Sequence, residues 1–281
     1  MVVQSSVRLY LESEKPYKSY SDCHKEYRLD KHIRARDNHV IQIELLDAEI
    51  PVSFYAINSN NNELKVTVGG VQSTLTLDPG NYSATEVRDI FNTTYLTQVV
   101  ATYIPASNRF SFQGTGAWSF AAAKGNYVFG VADAGQTSDS LHKVVSTRMV
   151  NLAGLNNIFI KVVNVNLENL DSHGKESGIL AKIVVDQGFG GLVHFEDYHH
   201  ALNLLKETNI NSIELKMVDL DGRPVGGDTG FNGVPWSLTL MFNFLPKEEI
   251  DVSGRDMLDK LNTLLENQKV KRTGKQNTGK E

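Results

Sequence analysis

Val40-Ile41-Gln42-Ile43-Glu44-Leu45-Leu46, then Pro51-Val52-Ser53-Phe54-Tyr55-Ala56-Ile57, then Leu64-Lys65-Val66-Thr67-Val68-Gly69-Gly70-Val71, and finally Leu77-Asp78-Pro79-Gly80-Asn81-Tyr82-Ser83 are the passages that decide the fold. The first alternates apolar and polar residues with a period of two, the pattern of a strand with one buried face. The second reads as another strand-like run, ended by the turn-formers Asn58, Asn60, Asn61 and Asn62. In the third, Gly69-Gly70 supplies the positive φ of a tight hairpin turn. Pro79 fixes φ and Gly80 reverses the chain. Ser83-Ala84-Thr85-Glu86 is then a capping box, and Val87, Ile90, Phe91 and Tyr95 follow at helical spacing, which predicts a short helix over residues 83–95 with one apolar face. A hairpin is expected next, residues 99–104 and 109–113 around Pro105-Ala106-Ser107-Asn108. Residues 38–112 are therefore organised like the opening half of a β-sandwich interrupted once by a helix, with no catalytic constellation and no phosphate loop.

Further along, residues 114–137 are soft in composition, rich in Gly, Ala and Ser, with Trp118, Phe120, Tyr127 and Phe129 among them. Residues 126–131 fit one turn of helix. Residues 133–140 read as a linker or exposed loop and form the candidate boundary of a two-lobed arrangement. Strands are expected at 143–152, 158–167, 179–186, 192–195, 210–218 and 236–245. Of these, Ile158-Phe159-Ile160-Lys161-Val162-Val163 is apolar enough for a central strand covered on both faces. Asp219-Leu220-Asp221-Gly222-Arg223-Pro224 reads as a loop tip, and the glycine-rich residues 226–233 as a mobile loop. Asparagine is frequent, which suits turns and strand ends.

The two ends differ from the body, residues 38–245. Residues 1–37 open with a short alternating run, Val3 to Leu11, and then carry Lys15, Lys18, Lys25, Arg28, Lys31, Arg34 and Arg36 against Asp22, Glu26 and Asp30, with Tyr17, Tyr20 and Tyr27 between them. They read as an irregular basic and aromatic arm, either solvated or docked on a neighbouring subunit, since Tyr and Arg favour interfaces. Residues 246–281 read as an amphipathic partner-binding helix, with Met257, Leu258, Leu261, Leu264 and Leu265 on one face, followed by a basic disordered tail.

The chain has 281 residues, 41% of them apolar, enough to bury one large β core or two small ones. Its formal net charge of −5 argues against a body that binds nucleic acid, which needs a basic face. The single Cys23 excludes an internal disulfide framework. No signal peptide and no membrane span are expected, because the longest apolar runs fall short of the roughly 20 residues that cross a bilayer. Folding in a reducing compartment follows as an expectation, and Asn81-Tyr82-Ser83 and Asn92-Thr93-Thr94 are then chance glycosylation motifs.

The residues that could carry chemistry do not form a recognisable site in the sequence. His194, Glu196, Asp197, His199 and His200 crowd together, but adjacent His199 and His200 point apart on a strand or a helix, and no second cluster converges with them. Cys23 lacks a reactive-cysteine signature, and there is no Gly-x-Ser-x-Gly elbow. Gly188-Phe189-Gly190-Gly191 lacks the Lys-Ser/Thr and the helix that a phosphate loop needs. Asp219 and Asp221 before Gly222 lack the later ligands of a calcium loop, so a turn between strands accounts for them better. No catalytic, cofactor-binding or metal-ligating residue is assigned, and the chain is not expected to be an enzyme.

Three groups of segments carry a resemblance. The passage Ile43-Glu44-Leu45-Leu46 with Pro51-Val52-Ser53-Phe54-Tyr55-Ala56-Ile57 is one. The turn Leu77-Asp78-Pro79-Gly80-Asn81-Tyr82-Ser83 is another. The third joins Ile213-Glu214-Leu215, Asp221-Gly222-Arg223-Pro224 and Trp236-Ser237-Leu238-Thr239-Leu240. Together, over residues 40–244, they resemble the penton and minor capsid proteins of virophages, polinton-like viruses and related large double-stranded DNA viruses. The resemblance implies a jelly-roll-type β-sandwich, mainly all-β, that self-associates in the virion, as a pentamer at the vertex rather than a trimer, beside the major capsid protein. No cofactor and no specific nucleic acid are expected, on the charge and the missing motifs given above. The alternative is a viral spike, a receptor- or glycan-binding sandwich. Exposed aromatics at residues 114–129 or 231–236 would favour that alternative, although Trp118 and Trp236 are expected in the core.

Overall fold

The computed structural model describes residues 6–95, 98–167, 177–197 and 203–247. Four strands open the chain: β1 (Ser6–Glu12), β2 (Lys18–Ser21), β3 (His24–Arg34) and β4 (His39–Pro51). The alternation at residues 40–46 is the centre of the 13-residue β4, whose Ile41, Ile43 and Leu45 are buried. Residues 6–34 are thus not an irregular arm: the alternating run at 3–11 overlaps β1, and β2 and β3 follow it. β1 pairs with a C-terminal strand, and β3 lies between β2 and another late strand. The strand pattern of β3 was hidden by a lysine on its inward row. Lys25 is buried with Tyr27, and its ammonium donates to Ser19 Oγ at 2.7 Å, while the Tyr27 hydroxyl donates to the Glu12 carbonyl at 3.0 Å. A long amphipathic side chain can bury its stem this way.

After β4 the chain crosses into a separate unit. Residues 52–56 belong to no strand and form the crossing segment, so the second expected strand run is absent. Pro51 closes β4, consistent with proline's inability to donate within a sheet. The unit contains β5 (Glu63–Val68), β6 (Val71–Thr76), helix α1 (Ala84–Tyr95), β7 (Val99–Ile104), β8 (Arg109–Gly114), β9 (Trp118–Ala121), β10 (Gly135–Thr137) and β11 (Lys143–Val145). The sheets are β10-β9-β5-β6 and β11-β8-β7. Both expected hairpins form. Gly69 and Gly70 turn at φ 57° and 82°, and Val68 faces Val71 across the turn.

The helix starts as its sequence dictates. Ser83 Oγ accepts from the Glu86 amide at 3.2 Å, and the Glu86 carboxylate accepts from the Ser83 amide at 2.7 Å. Val87, Phe91 and Tyr95 are its buried face. They meet Phe110, Phe112, Trp118 and Phe120 in an aromatic core, where Phe112 and Phe120 stand edge to face with centroids 4.8 Å apart. Residues 124–130 are consecutive turns rather than a helix. The expected lobe boundary at 133–140 is not one, because β10 lies there, paired with β9. The division falls where the chain leaves β4 and where it returns near residue 156. One apolar cluster runs from Ile57 to Val150, and the other takes residues from both sides of it.

The return strands are β12 (Asn157–Val162), β13 (Ile179–Val184), β14 (Leu192–Glu196), β15 (Asn203–Leu205), β16 (Asn209–Val218) and β17 (Ser237–Pro246). They complete two five-stranded sheets, β1-β17-β4-β14 with β15 also on β4, and β13-β12-β16-β3-β2. Without the short β2 and β15, and numbered along the chain, the remaining strands give orders 1-8-3-6 and 2-7-4-5. That arrangement is the two interlocked Greek keys of a jelly roll. The protein is mainly β, as expected, with the second unit inserted between the third and fourth strands of the roll. The roll's interior is filled by Ile41, Ile43, Leu45, Ile158, Ile160, Ile213, Leu215, Met217, Leu240 and Phe242, each at most 2% exposed. β12 is central, but only Ile158, Ile160 and Val162 are buried; Phe159 and Lys161 face outward and are half-buried. The amphipathic helix and basic tail expected within residues 246–281 lie outside the described residues, except for Pro246 and Lys247.

Candidate functional surfaces

Among the described residues, the side chains that could carry chemistry do not converge. His194 lies on β14 opposite Glu49 of β4, with Nδ1 3.7 Å from Oε1 and both side chains more than half exposed. His199 and His200 lie outside the described residues. Among the described residues, no three His, Cys, Asp or Glu side chains are grouped to hold a metal. Cys23 is buried with its thiol 3.0 Å from the Val225 carbonyl, and burial, with the charge of Asp22, pushes its pKa up to about 12. The thiol is therefore a packing group at neutral pH.

The loops that hinted at ligands are closed on themselves. The buried Asp219 carboxylate accepts from the amides of Asp221 and Arg223, both at 2.9 Å, and from Arg223 Nε at 3.1 Å, while Gly222 supplies φ 78°. Three of its roughly four acceptor positions are taken by the turn. Gly190 and Gly191 extend the β4–β14 ladder, as the Gly190 amide donates to the Val52 carbonyl and Val52 returns a bond to Gly191. Residues 226–233 are packed down rather than projecting. Phe231 is fully buried edge-on to Phe54, and Ser53 Oγ donates to the Phe231 carbonyl at 2.6 Å.

Asparagines stitch the two units together where the chain crosses. Asn61 Oδ1 accepts from the Asn58 amide, and its Nδ2 donates to the Ala56 carbonyl and the Tyr127 hydroxyl. Asn60 Nδ2 reaches the Pro224 carbonyl at 3.0 Å, Asn81 Oδ1 accepts from the Ala56 amide, and the Asp228 amide donates to Ser59 Oγ. Beside this junction lies a groove of about 260 Å3, flanked by Phe54, Leu152, Leu155 and Phe189. Phe189 is 59% exposed and stacks on Tyr55 with centroids 5.9 Å apart.

A second surface lies on the outer side of β2 and β3. Tyr17 and Tyr20 are exposed. The Arg28 guanidinium sits 5.6 Å from the Tyr17 ring centre and the Lys18 ammonium 4.3 Å from that of Tyr20. Tyr20 also stacks on His24, whose Nε2 lies 2.5 Å from Glu214 Oε1. Rigid aromatics braced by cations suit protein contact. Composition singled out these tyrosines and Arg28, but it missed the strand that presents them. By contrast, Trp118, Phe120, Phe129, Phe231 and Trp236 are all buried, and Tyr127 is half-buried with its hydroxyl bonded to Asn61, so residues 114–129 and 231–236 present no fully exposed ring to a glycan. The third surface, on β12 and β16, is a concavity of about 380 Å3 in which Lys161 stands opposite Lys216.

No family model matches the sequence, and no curated protein matches it. Among solved structures, the chain is similar to the mavirus penton protein at 12% identity and a TM-score of 0.47, with 86% of this chain and 100% of that one covered. It is also similar to a chain of the Sputnik virophage at 11% identity and a TM-score of 0.41, covering 86% of this chain and 98% of the other.

Proposed function

We propose that this chain is a structural capsid protein of a double-stranded DNA virus, the penton at the vertex or a minor capsid protein, which self-associates as a pentamer and contacts the major capsid protein in the virion. The observation that carries the reading is the strand order β1-β17-β4-β14 against β13-β12-β16-β3, a jelly roll of the kind found in viral capsids. Jelly rolls also build lectins and cupins, but here the interior is packed with aliphatic and aromatic side chains and leaves the roll only its outer surfaces to work with. The resemblance of residues 40–244 to penton and minor capsid proteins supports the same reading. So do Tyr17, just before β2, and Tyr20, on β2, braced by Arg28 of β3 and by Lys18, which offer a contact surface of the composition that protein interfaces favour. Function then lies in repeated contacts between copies, which closed symmetry organises.

The alternative, a receptor- or glycan-binding spike, is favoured by one feature, the exposed Phe189 stacked on Tyr55 beside the junction groove. Native mass spectrometry of the purified full chain separates the two. A five-subunit mass supports the penton, a three-subunit mass together with signals on a glycan array supports the spike, and a monomer at all concentrations counts against both.

A further inference from the structure

An edge strand exposes unpaired N–H and C=O groups that recruit other strands unless charge, proline, a bulge or a cover blocks them. In the inserted unit the edges are β6, β7, β10 and β11. β7 is closed by α1, because the Asn92 carboxamide binds both the amide and the carbonyl of Ala101. β10 and β11 are three residues each and are tied across the two sheets by Gln136 Nε2 donating to the Val145 carbonyl at 2.8 Å. In the roll, four edge strands carry charge or a titratable group: Arg8 and Glu12 on β1, Lys18 on β2, Lys182 on β13, His194 and Glu196 on β14; the uncharged β15 is three residues long and is bridged at Leu205 to Leu167.

β6 has none of these protections. Val71-Gln72-Ser73-Thr74-Leu75-Thr76 is uncharged, lacks proline, and pairs with β5 without a register shift. Every residue but Leu75 is exposed, Val71 to 72%. The two-residue Gly69-Gly70 turn makes Val68 and Val71 a hydrogen-bonded pair. Alternation along the ladder then aims the amide groups of Gln72, Thr74 and Thr76 away from β5. Among the described residues, no hydrogen bond reaches that outer side of the β6 backbone.

We propose that β6 pairs antiparallel with β6 of a second copy, about a two-fold axis at Thr74. The composition of the strand selects this occupant. A two-fold axis sets Thr74 against Thr74 and Gln72 against Thr76, so any charge near the centre would meet its own kind, and the strand carries no charge. Threonine pairs across strands are favourable. The nearest charges on that face, Lys65 and Glu63, lie one strand further back, on β5. A six-residue edge buries less than the roughly 1,000 Å2 of a stable interface, so the contact is weak alone and is strengthened where other contacts hold copies together. This inference does not depend on the capsid reading.

The test uses the full chain with Thr74→Cys. In a hydrogen-bonded antiparallel pair the two Cα atoms lie about 5.5 Å apart, inside the range that a disulfide bridges, and the native Cys23 is buried. Under mild oxidation Thr74→Cys should form disulfide-linked dimers about ten-fold or more faster than Asp89→Cys on the exposed side of α1, because pairing raises the local thiol concentration. In sedimentation over a concentration series, Thr74→Lys should lose the two-fold pairing of copies, or of whole rings, that the wild type shows, since it sets two ammonium groups face to face. Equal crosslinking rates, or identical sedimentation of Thr74→Lys and wild type, would overturn the proposal. If the chain forms five-subunit rings, a two-fold contact can only join separate rings, so Thr74→Lys should leave the ring mass unchanged and abolish pairing between rings; rings that pair equally well in Thr74→Lys would overturn the proposal while leaving the capsid reading intact.

Discussion

The side chain of Asn92 on α1 grips the backbone of Ala101 on β7 from both sides, Nδ2 donating to its carbonyl at 3.0 Å and Oδ1 accepting its amide at 2.7 Å. The carboxamide takes the place of a neighbouring strand and fastens the helix to the sheet edge that its apolar face covers. Asn164 does the same for β16, accepting the Glu214 amide and donating to the Ser212 carbonyl. Truncating Asn92 to alanine leaves a part-buried amide and carbonyl unpaired. It should destabilise the inserted unit by about 1–3 kcal/mol in denaturant unfolding. A change within the error of the measurement would show that water replaces the bonds at no cost.

Two separate cores predict two separable unfolding units. Phe112→Ala removes a ring packed against Phe91, Trp118 and Phe120 and should cost about 3–5 kcal/mol. Hydrogen exchange should then quicken at β5, β8 and β9 while β4 and β17 keep their protection. Phe242→Ala in the roll should show the converse. If both variants loosen the whole chain equally, the junction asparagines couple the units into one cooperative block.

Ser83 and Glu86 give a pH signature. The Ser83 amide, then its hydroxyl, hold the Glu86 carboxyl below the usual carboxylate range. A carboxyl whose folded pKa is depressed contributes stability that is present above its unfolded value, near 4.3, and is lost as pH falls through the folded value. Ser83→Ala should cost about 1 kcal/mol at neutral pH, and the gap to wild type should narrow in acid, read as melting temperature between pH 7 and pH 3. A gap independent of pH would mean that Glu86 takes no part in the cap.

Cys23 should be inert in the folded protein. With its thiol raised to about 12 by burial, almost none is thiolate at pH 8, so labelling by a thiol-reactive disulfide should be slow in buffer and rapid in denaturant. Prompt labelling in buffer would show that the contact between residue 23 and Val225 opens readily.

Local patterns were legible where one principle dominated. The Gly69-Gly70 hairpin, the Ser83 cap and the alternation in β4 could be read directly, because turn, cap and period each act over a few residues. The arrangement of the units was not. The expected boundary at 133–140 failed because Gly135, at φ 92°, sits in a strand whose partner β9 lay in a stretch of small residues with weak strand propensity. The true junction near residues 52–58 is apolar and reads locally as a strand; only the long-range pairing of β4 with β17 shows that the chain has left the sheet. Among the surfaces, Tyr17, Tyr20 and Arg28 were visible by type, whereas their spacing depends on β2 folding back on β3. Phe189 gave no signal beyond its glycine neighbours, since its exposure follows from the tight turn that carries it.

The central claim is that this jelly roll works by repeating around a symmetry axis. Electron-microscopic class averages of the purified full chain test it most directly. The account predicts rings of five copies, each a roll with its inserted unit distinguishable. Single particles the size of one chain at every concentration, or three-fold particles, would contradict it.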